Sequence, residues 1–220
     1  MPKITDTEQS LSDRAYDDLE ELIVTLQLAP GVAVSEAALS QQLGIGRTPI
    51  REALQRLARE RLVRILPRRG VIVSEIDIKA QLRLLELRRE VERLTARCAA
   101  KRATAAQKQQ FAEAAATFNK SALDNDPVGF MRCDRVFNEL CVQAAHNEFI
   151  NATMGMMSSL SRRFWFLHYR QAADLPLTAR LHAACAQAIA NGDEAAAATA
   201  SDALQDTIER FTRATVSAEF

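Results

Sequence analysis

The chain has 220 residues, of which 48% are hydrophobic and 25% are charged, and its formal net charge at pH 7 is zero. This composition is that of a globular protein with a buried core, and it excludes an intrinsically disordered chain. No apolar run approaches the roughly 20 residues of a transmembrane helix, so we expect no contact with a membrane. The first eighteen residues are polar and acidic and lack the apolar stretch of a signal peptide, which predicts a cytoplasmic protein.

The charges are distributed unevenly along the sequence. Residues 1–46 contain two basic and eight acidic residues, whereas residues 47–69 contain eight arginines and only two acidic residues. A concentrated basic stripe in an otherwise neutral protein is typical of a surface that contacts nucleic-acid phosphates. A solvated helix face without a partner would carry the same charges. The secondary structure predicted around the stripe therefore has to distinguish a nucleic-acid surface from a solvated face.

The first predicted element is an amphipathic helix over residues 12–28. Leucine and isoleucine recur there at three- and four-residue steps, which is the spacing of one helix face. Ala29-Pro30-Gly31 ends this helix, because proline cannot continue it and glycine accepts the turn. Residues 32–34 follow as a short extended piece.

Two further helices are predicted on either side of a tight turn at residues 43–46. Ser35 is the expected N-cap of the second helix, since its side-chain oxygen can accept from a free backbone amide. For the third helix, Thr48 is the expected N-cap and Pro49 suits the first position, where no amide donor is missed.

Two short strands are predicted after the third helix, at residues 61–66 and 70–76. They flank Pro67-Arg68-Arg69-Gly70, which is a turn sequence with two positive charges. Helix, turn, helix and a hairpin with a basic tip form a winged helix-turn-helix, in which the third helix enters the major groove of DNA.

The candidate DNA contacts lie at the exposed start of the third helix and at the hairpin tip: Arg47, Thr48, Arg51, Arg68, Arg69 and Gly70. An arginine at the start of a recognition helix can bind the O6 and N7 atoms of guanine with two hydrogen bonds. The arginines of the tip would contact phosphates, and Gly70 would allow close approach of the backbone.

The rest of the chain is predicted to be an all-helical bundle, because alanine, leucine, glutamate and arginine dominate and apolar residues recur at helical spacing. The predicted fold class is therefore mainly α, with a winged helix-turn-helix over residues 1–76 and a helical domain over residues 79–220. The four cysteines are far apart and form no Cys-x-x-Cys pair, so we expect buried, reduced thiols rather than a zinc site: Cys98, Cys133, Cys141 and Cys185.

The run GRTPIREALQRLARERLV, followed by PRRGVIV, closely resembles the GntR family of bacterial regulators. The resemblance covers residues 16–73 and implies a repressor or activator that binds a palindromic operator in double-stranded DNA as a homodimer. It assigns DNA contacts to Arg47, Thr48, Arg51 and Gly70. Family members often have an arginine early in the second helix, where this chain has Ala37, so its operator affinity or sequence preference is expected to differ.

The second part of the chain resembles the FCD effector domain of the FadR-like subfamily. The matching segments are LLELRREVERLTARCAAKRAT, CDRVFNELCVQAAHN and LHAACAQAIANGDEAAAATA. The resemblance implies six or seven helices around one pocket, which in the family often holds a divalent metal and binds carboxylate-bearing metabolites. The expected effector is therefore a small organic acid.

Two of the metal ligands that the resemblance implies are missing from this sequence. Asp134 and His182 match family ligands, but Asn138 and Leu204 stand where the family has histidine. One carboxylate and one imidazole are a poor set for a transition metal, so the sequence favours a pocket without metal. A divalent ion held by Asp134 and His182 is the alternative.

The expected effector contacts share the pocket of this domain: Arg88, Asp134, Asn138 and His182. Arg88 matches an arginine that the family often places near the pocket, and Glu92, one turn later, could orient it. A buried guanidinium can grip a carboxylate with two hydrogen bonds. Arg162 and Arg163 are further candidates, although any one of these arginines could instead form a salt bridge between helices.

The sequence is compatible with one favoured function and with one alternative. In the favoured one, an effector reorients the two winged domains of a dimer and so changes their fit to two half-sites. An enzyme is not expected, because no nucleophile–base pair, phosphate-binding glycine loop or complete metal set is present. The alternative is that the C-terminal domain is a dimerisation module that no longer senses a ligand.

Overall fold

The computed structural model of the protein describes residues 9–66, 70–172 and 174–218. The chain divides into two compact units, residues 1–76 and 77–220. The expected DNA contacts Arg68 and Arg69 lie outside the described residues. No helix in the described ranges is both long enough and apolar enough to cross a membrane.

The first unit contains the three predicted helices, α1 Leu11–Val24, α2 Glu36–Leu43 and α3 Arg47–Arg59. The predicted cap of the second helix is confirmed, because the Ser35 hydroxyl accepts from the backbone N–H of Ala38. The predicted end of the first helix at residue 28 is wrong. Leu26 takes a φ of 60°, in the left-handed region, and this ends the helix before the proline is reached.

The start of α3 also differs from the prediction. The helix begins at Arg47, and its N-cap is Gly46, which has no side-chain cap. Thr48 is therefore the second helical residue, and its assignment as N-cap is wrong. Gly44 ends α2 with a φ of 65°, and Ile45 is buried directly after it. Because the turn closes within two residues, the helical conformation starts before Thr48.

The strands form one small antiparallel sheet in the order β1-β3-β2. The predicted pair is confirmed as β2 Val63–Leu66 and β3 Gly70–Val73, with Val63 opposite Val73. The short extended piece becomes a third strand, β1 Ala33–Val34, which pairs with the outer edge of β3.

A packed core joins α1 to α3, with side chains that are at most 2% exposed: Leu19, Ile23, Ile50, Leu54 and Leu57. A polar contact lies beside this core. The Tyr16 hydroxyl donates to Oε2 of Glu60 at 2.7 Å, and the guanidinium of Arg56 lies 3.6 Å from the centre of the Tyr16 ring. These contacts tie the first helix to the end of the recognition helix.

We expect Tyr16→Phe to lower the free energy of unfolding by about 1–2 kcal/mol, because a hydrogen bond to a charged acceptor is lost while the ring stays under Arg56. Burial raises the pKa of Glu60, so this carboxylate depends on its remaining partners. Urea denaturation followed by circular dichroism measures the loss. In a Glu60→Gln background the same change should cost less, and an equal cost in both backgrounds would contradict the assignment.

The second unit is a helical bundle, in agreement with the prediction. In the residues described, it contains α4 Ile78–Arg102, α5 Ala105–Asp124, α6 Pro127–Ala144, α7 Glu148–Ala172, α8 Leu175–Asn191 and α9 Glu194–Ala218. Local signals set several of these bounds. Thr104 and Gln107 form a reciprocal capping box at α5, and Asp126 caps α6.

The cysteines are free thiols, as predicted. Cys133, Cys141 and Cys185 are buried, whereas Cys98 is half-buried. Burial raises the pKa of Cys133 and of Cys185 to about 12, so these thiols stay protonated and pack as small apolar groups.

Candidate functional site

The exposed face of α3 carries three of the expected DNA contacts. Arg47, Thr48 and Arg51 are all exposed at its first two turns. Arg51 is held by a residue that the sequence analysis missed, Glu36 at the start of α2. Its Nη2 donates to Oε2 of Glu36 at 2.9 Å and its Nε donates to Oε1 at 3.1 Å. The hydrogen bond from Arg51 lowers the pKa of Glu36, so Glu36 stays ionised. Because Glu36 lies on α2 and Arg51 on α3, this ion pair connects the two helices of the helix-turn-helix.

Gly70 opens β3 with a φ of 90°. A Cβ atom at this position would lie 3.0 Å from the carbonyl oxygen of Val34 on the neighbouring strand β1. A side chain here would crowd β1 and strain the backbone, so glycine suits this position of the sheet, in addition to any contact with DNA.

A cavity of about 40 Å³ lies inside the helical unit, and five helices contribute to its walls. Most of the polar wall comes from Gln81, Arg88, Asp134, Ser161, Arg162 and His182. Aromatic side chains line the cavity as well: Phe130, Phe164, Trp165 and Phe211. A single water needs about 10–15 Å³ of such space, so the cavity has room for a few waters or a compact anion.

Asp134 and His182 face each other in this cavity. Nε2 of His182 lies 3.2 Å from Oδ1 of Asp134, and Nδ1 of His182 lies 2.9 Å from the carbonyl oxygen of Thr178. Both ring nitrogens therefore face oxygen acceptors. The ring itself is fixed by Phe118 and Phe130, whose centres lie 4.9 and 5.2 Å from the imidazole centre.

Asp134 is 7% exposed and remains ionised. Burial by itself raises the pKa of Asp134, but the hydrogen bond with His182 and the charges of His182, Arg162 and Arg88 outweigh burial, so the pKa lies below its ordinary value. Nε of Arg162 lies 4.0 Å from Oδ2 of Asp134. The carboxylate is thus surrounded by cationic and donor groups.

Asn138 does not line the cavity. Its Nδ2 donates to Oδ1 of Asp134 at 3.0 Å and to the backbone oxygen of Asp134 at 2.9 Å. Asn138 therefore holds the Asp134 carboxylate by a hydrogen bond without lining the cavity. A direct contact between Asn138 and an effector stays a prediction.

Arg88 is buried and contacts Glu92, as expected from their one-turn spacing. Glu92 in turn contacts the amide of Gln205 on α9, a residue that the sequence analysis did not single out. Arg162 is buried in the cavity wall, whereas Arg163 is buried but does not line the cavity. The sequence analysis therefore identified Arg88 and Arg162, which line the cavity, and missed Gln81 and Ser161.

The cavity brings together one carboxylate, Asp134, and one imidazole, His182. Across the described ranges, no group of three or more histidine, cysteine, aspartate and glutamate side chains is placed to hold one. Leu204, at the position of a family ligand, is a buried apolar side chain. Asp134 and His182 contact each other, and the Asn138 amide binds the same carboxylate oxygen.

Two family profiles match the chain. The profile described as "Bacterial regulatory proteins, gntR family" matches residues 11–73, and the profile described as "FCD domain" matches residues 83–207. They correspond to the winged helix-turn-helix and to the helical unit that holds the cavity. GntR regulators bind DNA, and the FCD domain is a ligand-binding domain.

Individual relatives agree with these profiles. An uncharacterized HTH-type transcriptional regulator of Streptomyces ambofaciens is 47% identical over 62 residues, which are 28% of this chain and only 26% of that protein. The galactonate operon transcriptional repressor of Escherichia coli K12 is 28% identical over 211 residues, covering 84% of this chain and 90% of the relative.

Among solved structures, E. coli McbR/YncC has the same fold, with a TM-score of 0.79 at 17% identity over 94% of this chain and 99% of that one. The profiles and the relatives agree on a transcriptional regulator rather than an enzyme. The chain belongs to the GntR family of bacterial regulatory proteins, with an N-terminal winged helix-turn-helix and a C-terminal FCD domain.

Proposed function

We propose that the protein is a ligand-responsive transcriptional regulator that binds a palindromic operator as a homodimer and whose effector is a small carboxylate-bearing molecule. The observation that carries this proposal is the cavity that Arg88, Arg162 and His182 line together. A guanidinium in a dry site binds a carboxylate through two parallel, charge-assisted hydrogen bonds. The aromatic side chains that also line the cavity would cover the carbon skeleton of the acid.

The class of effector follows from the chemistry and the size of this cavity. A compact organic acid suits a space of about 40 Å³, whereas a longer sugar acid requires the cavity to widen. One relative is named for a galactonate operon, which associates a sugar acid with a similar domain. We therefore place small organic acids and sugar acids first among the candidates.

We propose that this effector binds without a metal ion. In this pocket Arg88 supplies the positive charge that a metal would otherwise provide, and Asp134 with His182 supplies an acceptor and a donor for hydroxyl groups. Asn138 holds Asp134 in place. A divalent ion on Asp134 and His182 is the competing arrangement, and the test below distinguishes the two.

At the DNA end, we propose that the start of α3 reads bases through Arg47, Thr48 and Arg51. The hairpin tip, with Arg68 and Arg69, would contact phosphates, and Gly70 would allow the backbone to approach. Effector binding changes the spacing of the two recognition helices in the dimer, and with it the fit to two half-sites one helical turn apart.

A thermal-shift screen of small carboxylic acids, sugar acids and amino acids tests the effector, run with zinc, with nickel and with a chelator. An acid that binds only the folded state adds about 2.7 kcal/mol of stability at a hundred times its Kd. Stabilisation that persists in chelator supports the metal-free pocket. Stabilisation that requires metal would overturn it. A broad panel without any shift would favour the alternative, a dimerisation module that no longer senses a ligand.

Arg88→Lys tests the pocket itself. It keeps the positive charge but removes the fork of two parallel donors, so we expect the affinity for the acid to fall roughly tenfold or more. Isothermal titration measures this change. Arg210→Lys, at an exposed position on α9, is the matched control and should bind like the wild type. Equal affinities in both variants would remove Arg88 from the site.

A further inference from the structure

One face of α4 carries apolar side chains at the alternating three- and four-residue spacing of a coiled coil. We call this row the α4 seam, and its members are Leu84, Leu87, Val91, Leu94 and Cys98. It runs for about 21 Å along the helix, at a rise of about 1.5 Å per residue. Such a row is the usual surface by which one helix packs against another.

The chain itself covers only half of the α4 seam. Leu84, Val91 and Cys98 pack, partly buried, against the cluster that the residues around the start of α7 form: Ala145, Ile150, Met154 and Met157. The alternate members remain open, with Leu87 49% exposed and Leu94 45% exposed. Two leucines one heptad apart thus stand at the surface, each beside an apolar neighbour that is already half covered.

The other sides of α4 are occupied within the unit. Arg88 and Thr95 are buried on the inner side. Arg89 and Arg93 bind Asp206 and Asp202 of α9, each at 2.7 Å. The α4 seam is therefore the one apolar row on this helix that the described part of the unit leaves open, and its open edge is bordered by exposed charges.

Those charges alternate at seven-residue steps, as Arg83, Glu90 and Arg97. In heptad terms they occupy one position, directly beside the open leucines. When two such helices pack antiparallel, residues at this position face their counterparts on the other helix. The order of charges then decides which alignments of the two helices are favourable.

We infer that two copies of this chain associate through the α4 seam, with their α4 helices antiparallel about a two-fold axis. This inference rests on the homodimer of the proposed function and adds the place where the two copies meet. Val91 then lies opposite Leu94 of the second copy, and Leu87 opposite its Cys98. The axis repeats both contacts, so the seam forms an unbroken apolar layer.

The bordering charges favour this alignment of the two helices over alignments shifted by one heptad. It brings Glu90 opposite Arg97 of the second copy, and the axis makes this pair twice. Sliding one helix by seven residues keeps an apolar layer but brings Glu90 opposite Glu90 and Arg83 opposite Arg97, so every bordering pair repels. A two-fold interface has to be self-complementary in this way.

The apolar surface continues beyond the end of the helix. Nη1 of Arg102 donates to the carbonyl of Ala145 at 2.7 Å, which fixes the turn between α6 and α7 against the end of α4. Phe149 follows this turn and is 76% exposed. In an antiparallel pair the end of one α4 lies beside the start of the other, so Phe149 would extend the contact at both ends.

The first test is the double variant Leu87→Glu/Leu94→Glu. Analytical ultracentrifugation at micromolar concentration should find the wild type dimeric and this variant monomeric, with the same helical circular dichroism. Leu123→Glu is the control, because Leu123 is 86% exposed on α5 and lies off the seam. It should remain dimeric. A dimeric wild type with an equally dimeric double variant overturns the seam alone, whereas a monomeric wild type overturns the homodimer of the proposed function.

The second test exchanges the charges, and it separates a contact between copies from a loss of folding. Glu90→Arg and Arg97→Glu should each weaken the dimer roughly tenfold, since each makes two like-charge pairs. The two changes together restore opposite charges and should return the dissociation constant close to the wild-type value. A combined variant as weak as the single ones would overturn the antiparallel alignment.

The third test fixes the alignment. Leu87→Cys places a thiol opposite the native Cys98 of the second copy, and oxygen with a copper catalyst should join the two copies through a disulfide. Within one helix these positions are about 16 Å apart, too far for a bond. Adding Cys98→Ser should abolish the covalent dimer on a non-reducing gel. Failure of Leu87→Cys to cross-link, in a protein that is dimeric, would overturn this alignment.

Discussion

Replacing Arg51 by alanine is expected to abolish sequence-specific operator binding while the fold and the homodimer stay intact. The Arg51 side chain is 61% exposed at the start of the recognition helix, so its removal leaves no cavity. A bidentate contact between arginine and a base contributes about 1–3 kcal/mol of discrimination, and a dimer on two half-sites loses two of them. At the middle of that range the two losses add up to about 4 kcal/mol, so the specific affinity should fall by roughly three orders of magnitude.

The measurement needs an operator, which selection from a random duplex library with the wild-type protein supplies. Fluorescence anisotropy at one fixed salt concentration then compares the selected duplex with a scrambled one. Arg51→Ala should bind both duplexes with the weak affinity that the wild type has for the scrambled one. Arg14→Ala, an exposed arginine on α1, is the matched control and should bind like the wild type. Retained discrimination by Arg51→Ala would show that α3 does not read the operator through this side chain.

The ion pair with Glu36 adds a second expectation for the same helix. Both Nε and Nη2 of Arg51 are held by this carboxylate, so the guanidinium is oriented before DNA arrives. Arg51→Lys keeps the positive charge but removes the paired N–H donors of the guanidinium. It should retain non-specific binding and its dependence on salt, yet lose most of the discrimination between the two duplexes.

The elements of the first unit were predictable because their signals are local. A polar cap at Ser35 and a three- to four-residue apolar period suffice to place a helix, and β-branched runs around a turn suffice to place a hairpin. What the sequence missed depends on distant partners. Strand β1 has two residues, too few for an alternating pattern, and exists because β3 offers it an edge. The contact between Glu36 and Arg51 spans fifteen positions and has no local signature.

In the cavity, too, some residues could be predicted from the sequence, whereas contacts between distant residues could not. Arg88, Asp134 and His182 could be named from their match to a family, and the structure brings all three to one cavity. Gln81 and Ser161 are eighty positions apart and become neighbours only through packing of α4 against α7. Asn138 was expected in the pocket, but its i, i+4 position relative to Asp134 on α6 turns its amide back onto that carboxylate. Spacing therefore identified the residues, while tertiary packing determined which way each one faces.

Asp134→Ala is expected to destabilise the protein by about 3–5 kcal/mol at neutral pH, because it leaves a buried charged partner without its carboxylate. Arg162 and His182 are 9% and 4% exposed, and both face Asp134. Urea denaturation followed by circular dichroism measures the change. Asp124→Ala, at an exposed position at the end of α5, is the control and should change stability by less than about 0.5 kcal/mol.

The same ion pair predicts a dependence on pH with a definite sign. The pKa of Asp134 is lowered in the folded state, so the folded protein holds this proton less tightly than the unfolded chain, whose value is near 3.8. The stabilisation is therefore fully present above the unfolded pKa and is lost as the pH falls through the lower, folded one. The difference in unfolding free energy between the wild type and Asp134→Asn should shrink as the pH falls from about 5 to 3. Other carboxyl groups titrate alike in both proteins and cancel in this difference. A difference that instead grew as the pH fell over this range would mean that the pKa of Asp134 is raised in the folded protein, and that His182 and Arg162 face a carboxylic acid rather than a carboxylate.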